Sequence, residues 1–508
     1  MEVFLSELAV LGQVALEILS PVSLMMVLSG TFLGIIVGAI PGMTATMTLA
    51  LLIGLTYGLG FYRAIAMMMG LYTGAIYGGC IASIMVNIPG TPSAATTTLD
   101  GFPLAKKGEG GQAIGMATIA SFFGMLVGIF ALVVLTPLIY QVALKIGAWE
   151  QFLLAIFGVT ICGNLGNADQ PLKGWIAGFL GLIVASVGLD PIYAIPRFTF
   201  GNIQLMGGIS IIAALIGMFG ISEILDVLKE KVPYQIPQKV GRIVPPLSML
   251  PKFIPNAIRS GIIGVIIGII PGVGENTAAW IAYDMAKRSD PHPETFGTGN
   301  YHGVVSAETA NNACIGGALI PILTLAIPGS VGTALLMAAM IVHGVRPGPM
   351  LRFEFPGFTY HVGLLLTIAS VCMLILGLLM ARPLIHLLKI KREILLPLII
   401  PLCTIGAYAS NMRHFDIKVM LFLGFVATIL RWMNYPMAPL VLGLILGPMA
   451  DNQFRRAMLI SRGNFFAVFQ RPISVGLMIC IALMLLSGTG VLDKIRSRRA
   501  KGSTGQAG

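Results

Sequence analysis

Charge is what this sequence has least of. Of its 508 residues only 10% are Asp, Glu, Lys or Arg, where a soluble domain carries about a quarter. None of the four occurs between Ile18 and Tyr62, Ala113 and Leu144, Thr309 and Val345, Phe355 and Ala381, or Ile473 and Leu492. A helix needs about 20 apolar residues to cross a bilayer. A soluble fold is therefore excluded, and the mean hydropathy of +0.89 agrees.

Other absences narrow the function. The six cysteines (Cys80, Cys162, Cys314, Cys372, Cys403, Cys480) form no C-x-x-C pair, which argues against a disulfide framework or a zinc site and makes them small packing residues. There is no G-x-x-x-x-G-K-[ST] nucleotide loop, no H-E-x-x-H helix and no histidine cluster. No cofactor is expected, and no metal beyond a coupling cation. "MEVFLSELAV" has no basic n-region, so a cleaved signal peptide is not expected.

The charge that is present is mostly basic, +11 net, and sits in short loops. It clusters at Lys106-Lys107, Lys229 to Arg259, Lys287-Arg288, Arg382 to Arg392 and Lys494 to Lys501. Loops of that kind face the cytoplasm, which puts the C-terminus inside and leaves no role for nucleic acid. The expected fold is an all-α polytopic membrane protein of about 12 transmembrane segments plus broken or re-entrant helices. Residues 1–228 and 258–450 form two repeated halves. A basic cytoplasmic linker (229–257) divides them, and 451–508 supply a last helix and a basic tail.

The halves resemble each other. "GIIVGAIPGMTATMTLA" from Gly34 aligns with "GVIIGIIPGVGENTAAW" from Gly264, matching Pro41-Gly42 to Pro271-Gly272. "GGCIASIMVNIPGTPSAAT" from Gly78 pairs with "GGALIPILTLAIPGSVGTA" from Gly316 if one residue is inserted, matching Pro89-Gly90 to Pro328-Gly329. Basic residues flank the second Pro-Gly segment on both sides, at Lys252, Arg259 and Lys287-Arg288, which suggests a re-entrant hairpin. The first segment has a far less basic setting, so the repeats are expected to be inverted. Arg455, Arg456 and Arg462 fit that count poorly.

In "GIIGVIIGIIPGVGENTAAW" (Gly261 to Trp280) the helix is expected to stop about halfway across the bilayer. Irregular backbone survives at that depth only where protein or a water-filled cavity satisfies it. A break exposes amides that suit a carboxylate and carbonyls that suit a partly dehydrated cation. The expected substrate-binding residues are Gly42, Thr44, Asn87, Gly90, Thr91, Ser93, Gly272, Asn276, Asn311, Gly329 and Ser330. Thr46, Glu275, Thr277, Asn312 and Thr333 are the expected cation ligands. Any single Thr or Ser among them can equally be a packing residue; buried amides and carboxyls are the costlier placements.

The run "YTGAIYGGCIASIMVNIPGTPSAATTTLDGFPLAKKGEGGQAIGMATIASFFG" (Tyr72 to Gly124) resembles the signature of the tripartite tricarboxylate transporters, in their large membrane subunit. "GxxxGxxPG" at Gly34 to Gly42 and Gly264 to Gly272, "GISEILDVL" and "IPGSVGTALLMAAMIVHGVRPGPML" match as well. The resemblance implies a bacterial inner-membrane importer of small di- or tricarboxylates, driven by an ion gradient, usually Na+ with H+ the alternative. It also implies a small membrane subunit and a periplasmic substrate-binding protein as partners.

Two other readings compete. An intramembrane aspartyl-type protease could pair Glu275 with Asp284, and a passive anion channel would tolerate the same breaks. Arg63, Arg346, Trp175 and Tyr193 read as interfacial residues. Glu308 reads as facing the N-terminal dipole of its helix, and His292, His302 and Glu294 as a solvated loop.

Overall fold

The computed structural model describes residues 12, 14, 18–40, 43–165, 170–190, 192–229, 241–388 and 392–488. Many helices open on a residue suited to the task. Ser20 caps α1 (Pro21–Ala39) by accepting from the Ser23 amide, with Pro21 where a missing N–H costs nothing. Thr44 caps α2 (Ala45–Thr56) through the Met47 amide. There follow α3 (Phe61–Val86), α4 (Ala95–Lys106), α5 (Gly110–Ala143), α6 (Ala148–Leu165) and α7 (Pro171–Ala185). A two-residue antiparallel ladder joins β1 (Gly188–Leu189) to β2 (Pro196–Arg197), in register Gly188 to Arg197.

Helix α8 (Ile211–Leu215) continues through a π segment (Ile216–Ile221) into α9 (Ser222–Lys229). Next come α10 (Leu250–Ile269), α11 (Gly274–Ser289), α12 (Tyr301–Leu325) and α13 (Val331–Val342). Asn300 caps α12 through the His302 amide, and Ser330 with Thr333 forms a reciprocal capping box on α13. The last helices are α14 (Leu351–Glu354), α15 (Phe358–Leu387), α16 (Arg392–Ala409), α17 (His414–Trp432), α18 (Met437–Ile460) and α19 (Pro472–Gly488).

This is an all-α membrane protein. Among the described residues, five helices are long and apolar enough to cross a membrane: α1, α3, α5, α10 and α15. Others are apolar but short. At 1.5 Å per residue the 12 residues of α2 and of α13 reach about 18 Å, against about 30 Å of hydrocarbon. Helix α10 begins eight residues before the expected position 258, and its 20 residues are long enough to cross. Helix α4 was not anticipated, because its Thr-rich opening carries no apolar signature.

The chain folds into two compact units. One comprises the described residues up to Ala143 together with Ile212–Thr428; the other comprises Leu144–Ile211 and the described residues from Ile429 onward. Each unit draws on both sides of the linker.

Inside the first unit, glycines at four-residue spacing bring backbones together. A Cβ on Gly30, Gly34 or Gly38 of α1 would lie 2.1–2.3 Å from the carbonyl oxygens of Met67, Leu71 and Ala75 on α3. Gly70, Gly74 and Gly78 of α3 return the contact on Val27, Thr31 and Ile35. Helices α10 and α12 meet likewise, Gly264 on Ala310, Gly268 on Cys314 and Gly317 on Val265. Lipid gives apolar side chains no reason to associate, so close backbone packing carries this contact. Helix α3 is 94% buried over its apolar window, and α12 is buried from Gly303 to Thr324.

In the second unit α18 packs on α6 and α7, with Gly181 against the Leu440 carbonyl and Gly443 against that of Gly178. Trp175 is buried there and donates to the Thr160 carbonyl at 3.2 Å, so it is not an interfacial residue. Arg455 pairs with Asp190 (2.6 Å) and Asp451 (2.9 Å). That explains why it fits a loop-charge count poorly: it answers neighbouring carboxylates.

Candidate binding site at the helix breaks

The Pro-Gly breaks repeat one local geometry. Helix α1 ends at Ile40 (φ −79°, ψ 115°) and α10 at Ile270 (φ −77°, ψ 118°), each amide reaching back 3.1 Å to a carbonyl three residues earlier. Helix α3 ends at Asn87 (φ 57°, ψ 26°) and α12 at Ala326 (φ 59°, ψ 34°), both left-handed. Past them, Gly90 and Gly329 donate at 3.4 Å to Gly79 and Ala318. A Cβ on Gly90 would lie 2.1 Å from the Gly38 carbonyl oxygen, and one on Gly329 the same distance from that of Gly268. The α1 and α10 contacts are offset by 230 residues, and the α3 and α12 contacts by 239. No inserted residue is needed: Gly78 corresponds in its contacts to Gly317, not to Gly316.

The breaks also meet crosswise. Helix α2, which follows the first, packs on α13, which follows the fourth; α11, which follows the third, packs on the 3-10 turn Pro92–Ala94 after the second. Gly272 donates to the Pro328 carbonyl at 3.3 Å. Tyr72 of α3, fully buried, joins the two sides. Its hydroxyl donates to Glu275 at the start of α11 and lies 2.9 Å from Ser330 Oγ. Thr333 Oγ1 donates to the Ser330 carbonyl. The Ser330 hydroxyl is left to donate to Tyr72. Gly332 is what admits the ring: a Cβ there would lie 2.5 Å from it.

The expected residues fall into three sets. Glu275, Ser330 and Thr333 come together around Tyr72. Thr91 and Ser93 are buried and bond each other at 3.2 Å; Thr44 and Thr46 do the same at 3.0 Å while Thr44 caps α2. Asn87 and Asn276 are exposed, and Asn87 supplies the left-handed helix end that Asn tolerates better than other side chains. Thr277 donates to the Val273 carbonyl. Gly90, Gly272 and Gly329 hold the breaks themselves. Gly42 lies outside the described residues.

Asn311 and Asn312 are the third set. Both are fully buried, neither amide atom of Asn311 has a partner, and Asn312 keeps an unpartnered Oδ1. Thr73 and Thr96 also bury unpartnered hydroxyls. At the 239-residue offset Asn311 takes the place of Tyr72, and Asn312 that of Thr73. A buried polar group without a partner costs about 1–3 kcal/mol, so such a set is a place where a ligand or water belongs. Tyr72 and Thr73 do not stand out in the sequence, because hydroxyls in apolar helices are common. Tyr72 opens the run that carries the family resemblance, and that was the available signal.

At the breaks, the first amides of α2 and α13 point beyond their helices, and their side-chain caps take only the third. The free pairs can bind a carboxylate. Protease chemistry does not fit. Glu275 is held by Tyr72, whereas Asp284 is exposed and ion-paired to Arg288; nine residues of helix part them by about 13 Å. Among the described residues no three His, Cys, Asp or Glu gather for a metal. His292 and Glu294 are an exposed pair, and His302 lies tilted against Phe253, ring centroids 4.5 Å apart.

Fold and site together define a multi-pass helical membrane protein with polar helix breaks converging inside one unit. The model of the tripartite tricarboxylate transporter TctA family matches residues 24–442. An uncharacterized 52.8 kDa protein of the TAR-I ttuC' 3' region of Agrobacterium vitis is 34% identical over 485 residues, 95% of this chain and 96% of its own. A second uncharacterized protein, of that organism's TAR-II ttuC' 3' region, is 33% identical over 233 residues, 45% of this chain and 94% of its own. No solved structure matches. The chain belongs to the tripartite tricarboxylate transporter TctA family, a family of transporter components and not of enzymes.

Proposed function

We propose that the chain is the large membrane subunit of a cation-coupled secondary transporter that imports small di- or tricarboxylates across a bacterial inner membrane. A periplasmic binding protein delivers the substrate, and a small membrane subunit completes the assembly. Two inverted repeats form the translocation core, and the substrate carboxylates bind the free amides at α2 and α13, with Asn311 and Asn312 alongside. Freed carbonyls and hydroxyls at the breaks hold Na+, with H+ as the alternative coupling ion. What carries the reading is the crosswise meeting of the four breaks, together with buried amides that have no protein partner. A passive pore has no need of such paired sites.

The test is uptake of labelled citrate and other carboxylates into proteoliposomes holding this chain with its small subunit and binding protein. Saturable uptake that follows an imposed Na+ or pH gradient supports the carrier. Flux that neither saturates nor responds to either gradient would refute it.

A further inference from the structure

Glu308 is a buried carboxyl that the breaks do not use. It is fully enclosed about two turns into α12, not at the helix start where a dipole would meet it. Thr97 of α4 donates to Oε1, and Ser121 of α5 to Oε2 at 3.1 Å. Among the described residues no Lys, Arg or His pairs with it.

The surrounding helices supply no counter-charge inside: Arg63 of α3 and Lys106 of α4 are exposed at helix ends. Tyr77 and Cys80 of α3 carry no positive charge, and Tyr77 bonds Thr118 at 2.7 Å. Helices α5 and α13 carry no charged residue. On α4, Asp100 is occupied by the Tyr283 hydroxyl and the amides of Gly297, Gly299 and Asn300. On α10, Arg259 is taken by Asn256 and Ser289, and Lys252 is exposed at the helix start. On α11, Glu275 is bound to Tyr72, Asp284 pairs with Arg288, and Lys287 is exposed.

An enclosed carboxylate without a cation is costly, and the group escapes the cost by taking a proton. The two hydroxyls suit both states, since each donates to the anion and either accepts from the acid. Sodium is a poorer occupant. Helix α12 is continuous at this point, so its carbonyls are spent on intrahelical bonds and cannot complete an ion's oxygen shell. One turn on, Asn311 and Asn312 share the face of Glu308, and the Asn312 amide bonds the Glu308 carbonyl at 3.0 Å.

We propose that Glu308, between Thr97 and Ser121, is a proton-binding site distinct from the helix breaks. Its carboxyl O–H bond forms on uptake and breaks on release to water, and its state is passed along α12 to Asn311 and Asn312. As a coupling site it rests on the transporter reading above; as a protonated acid it does not.

Infrared difference spectra of the reconstituted full chain between acid and alkaline pH test the acid itself. A protonated carboxyl band is expected that disappears in Glu308→Gln, persists in Glu275→Gln and shifts in Thr97→Val, where one hydroxyl is lost. Absence of the band, or its removal by sodium at constant pH, overturns the proposal. The second readout is citrate movement in proteoliposomes. Glu308→Gln is expected to keep gradient-free exchange while pH-driven accumulation falls to simple equilibration, and Glu308→Asp to accumulate with a displaced pH profile. Undiminished accumulation by Glu308→Gln overturns the coupling role. If the wild type moves no carboxylate, the transporter reading fails while the infrared band still decides Glu308.

Discussion

Gly329→Ala separates what local backbone preference allows from what packing forbids. Neither Gly90 nor Gly329 has a positive φ, so alanine fits both backbones and should stabilise by about 0.4–1 kcal/mol through the unfolded chain. The tertiary contact reverses the sign. The added Cβ would lie 2.1 Å from the Gly268 carbonyl oxygen, so the loop must retreat by about 1 Å against backbone that cannot rotate away. Overpacking of this kind costs about 1–3 kcal/mol, which outweighs the gain. The retreat also moves Ser330, and with it the bond to Tyr72. Melting of the purified chain in detergent, followed by size-exclusion fluorescence, should show Gly329→Ala and Gly90→Ala both falling below wild type, because each new Cβ would meet a backbone carbonyl oxygen at 2.1 Å. Gly476→Ala is the control, since its Cβ would meet nothing within 4 Å; it should melt at or above wild type. A Gly329→Ala protein as stable and as active as wild type would refute the close approach. Opposite effects at Gly90 and Gly329 would refute the correspondence of the two breaks.

Asn311→Leu should melt no lower than wild type, because the lost amide has no protein partner and an apolar replacement removes an unsatisfied group; citrate uptake should be abolished, and full uptake would remove Asn311 from the site. Tyr72→Phe should lower stability by about 1–3 kcal/mol, because Glu275 loses a donor and Ser330 an acceptor, and uptake should fall with it; an unchanged melting profile would sink the bridging role. The Tyr193 amide foremost, then that of Ile192 with Arg455 and Arg197, holds the Asp190 carboxyl below its ordinary value. A depressed carboxyl contributes its stability above the ordinary aspartate range and loses it as pH falls through the lower value. Limited proteolysis of the 188–197 loop should therefore stay slow at neutral pH, quicken in strong acid, and be fast already at neutral pH in Asp190→Asn. Equal rates for that variant and wild type at neutral pH would count against it.

Much of the membrane core was readable before any coordinates. Charge-free runs, four-residue glycine spacing and paired Pro-Gly motifs are local patterns, and they marked the long helices and the breaks. The mistakes share one cause. An inserted residue was placed in α12 because Gly78 and Gly316 look alike in letters, whereas the carbonyl each glycine must clear assigns Gly78 to Gly317. Asn87 stands out in the sequence by its cost at membrane depth, but that it ends a helix in a left-handed turn is visible only in the fold. Hydropathy puts Glu308 at a helix start, whereas α12 begins earlier, at Tyr301.

By itself the sequence determined that this chain is a helical membrane protein, where its helices break, and the family to which it belongs. Those properties follow from hydrophobic runs, backbone-restricting residues and spacing, all of which act along the chain. Only the tertiary structure decided which polar groups meet. Tyr72 reaches Glu275 from 203 positions away, and Thr97 reaches Glu308 from 211. Whether a buried hydroxyl or amide is satisfied depends on partners brought by other helices. Asn311 is left without a partner while Ser330 is not, and no local pattern distinguishes them.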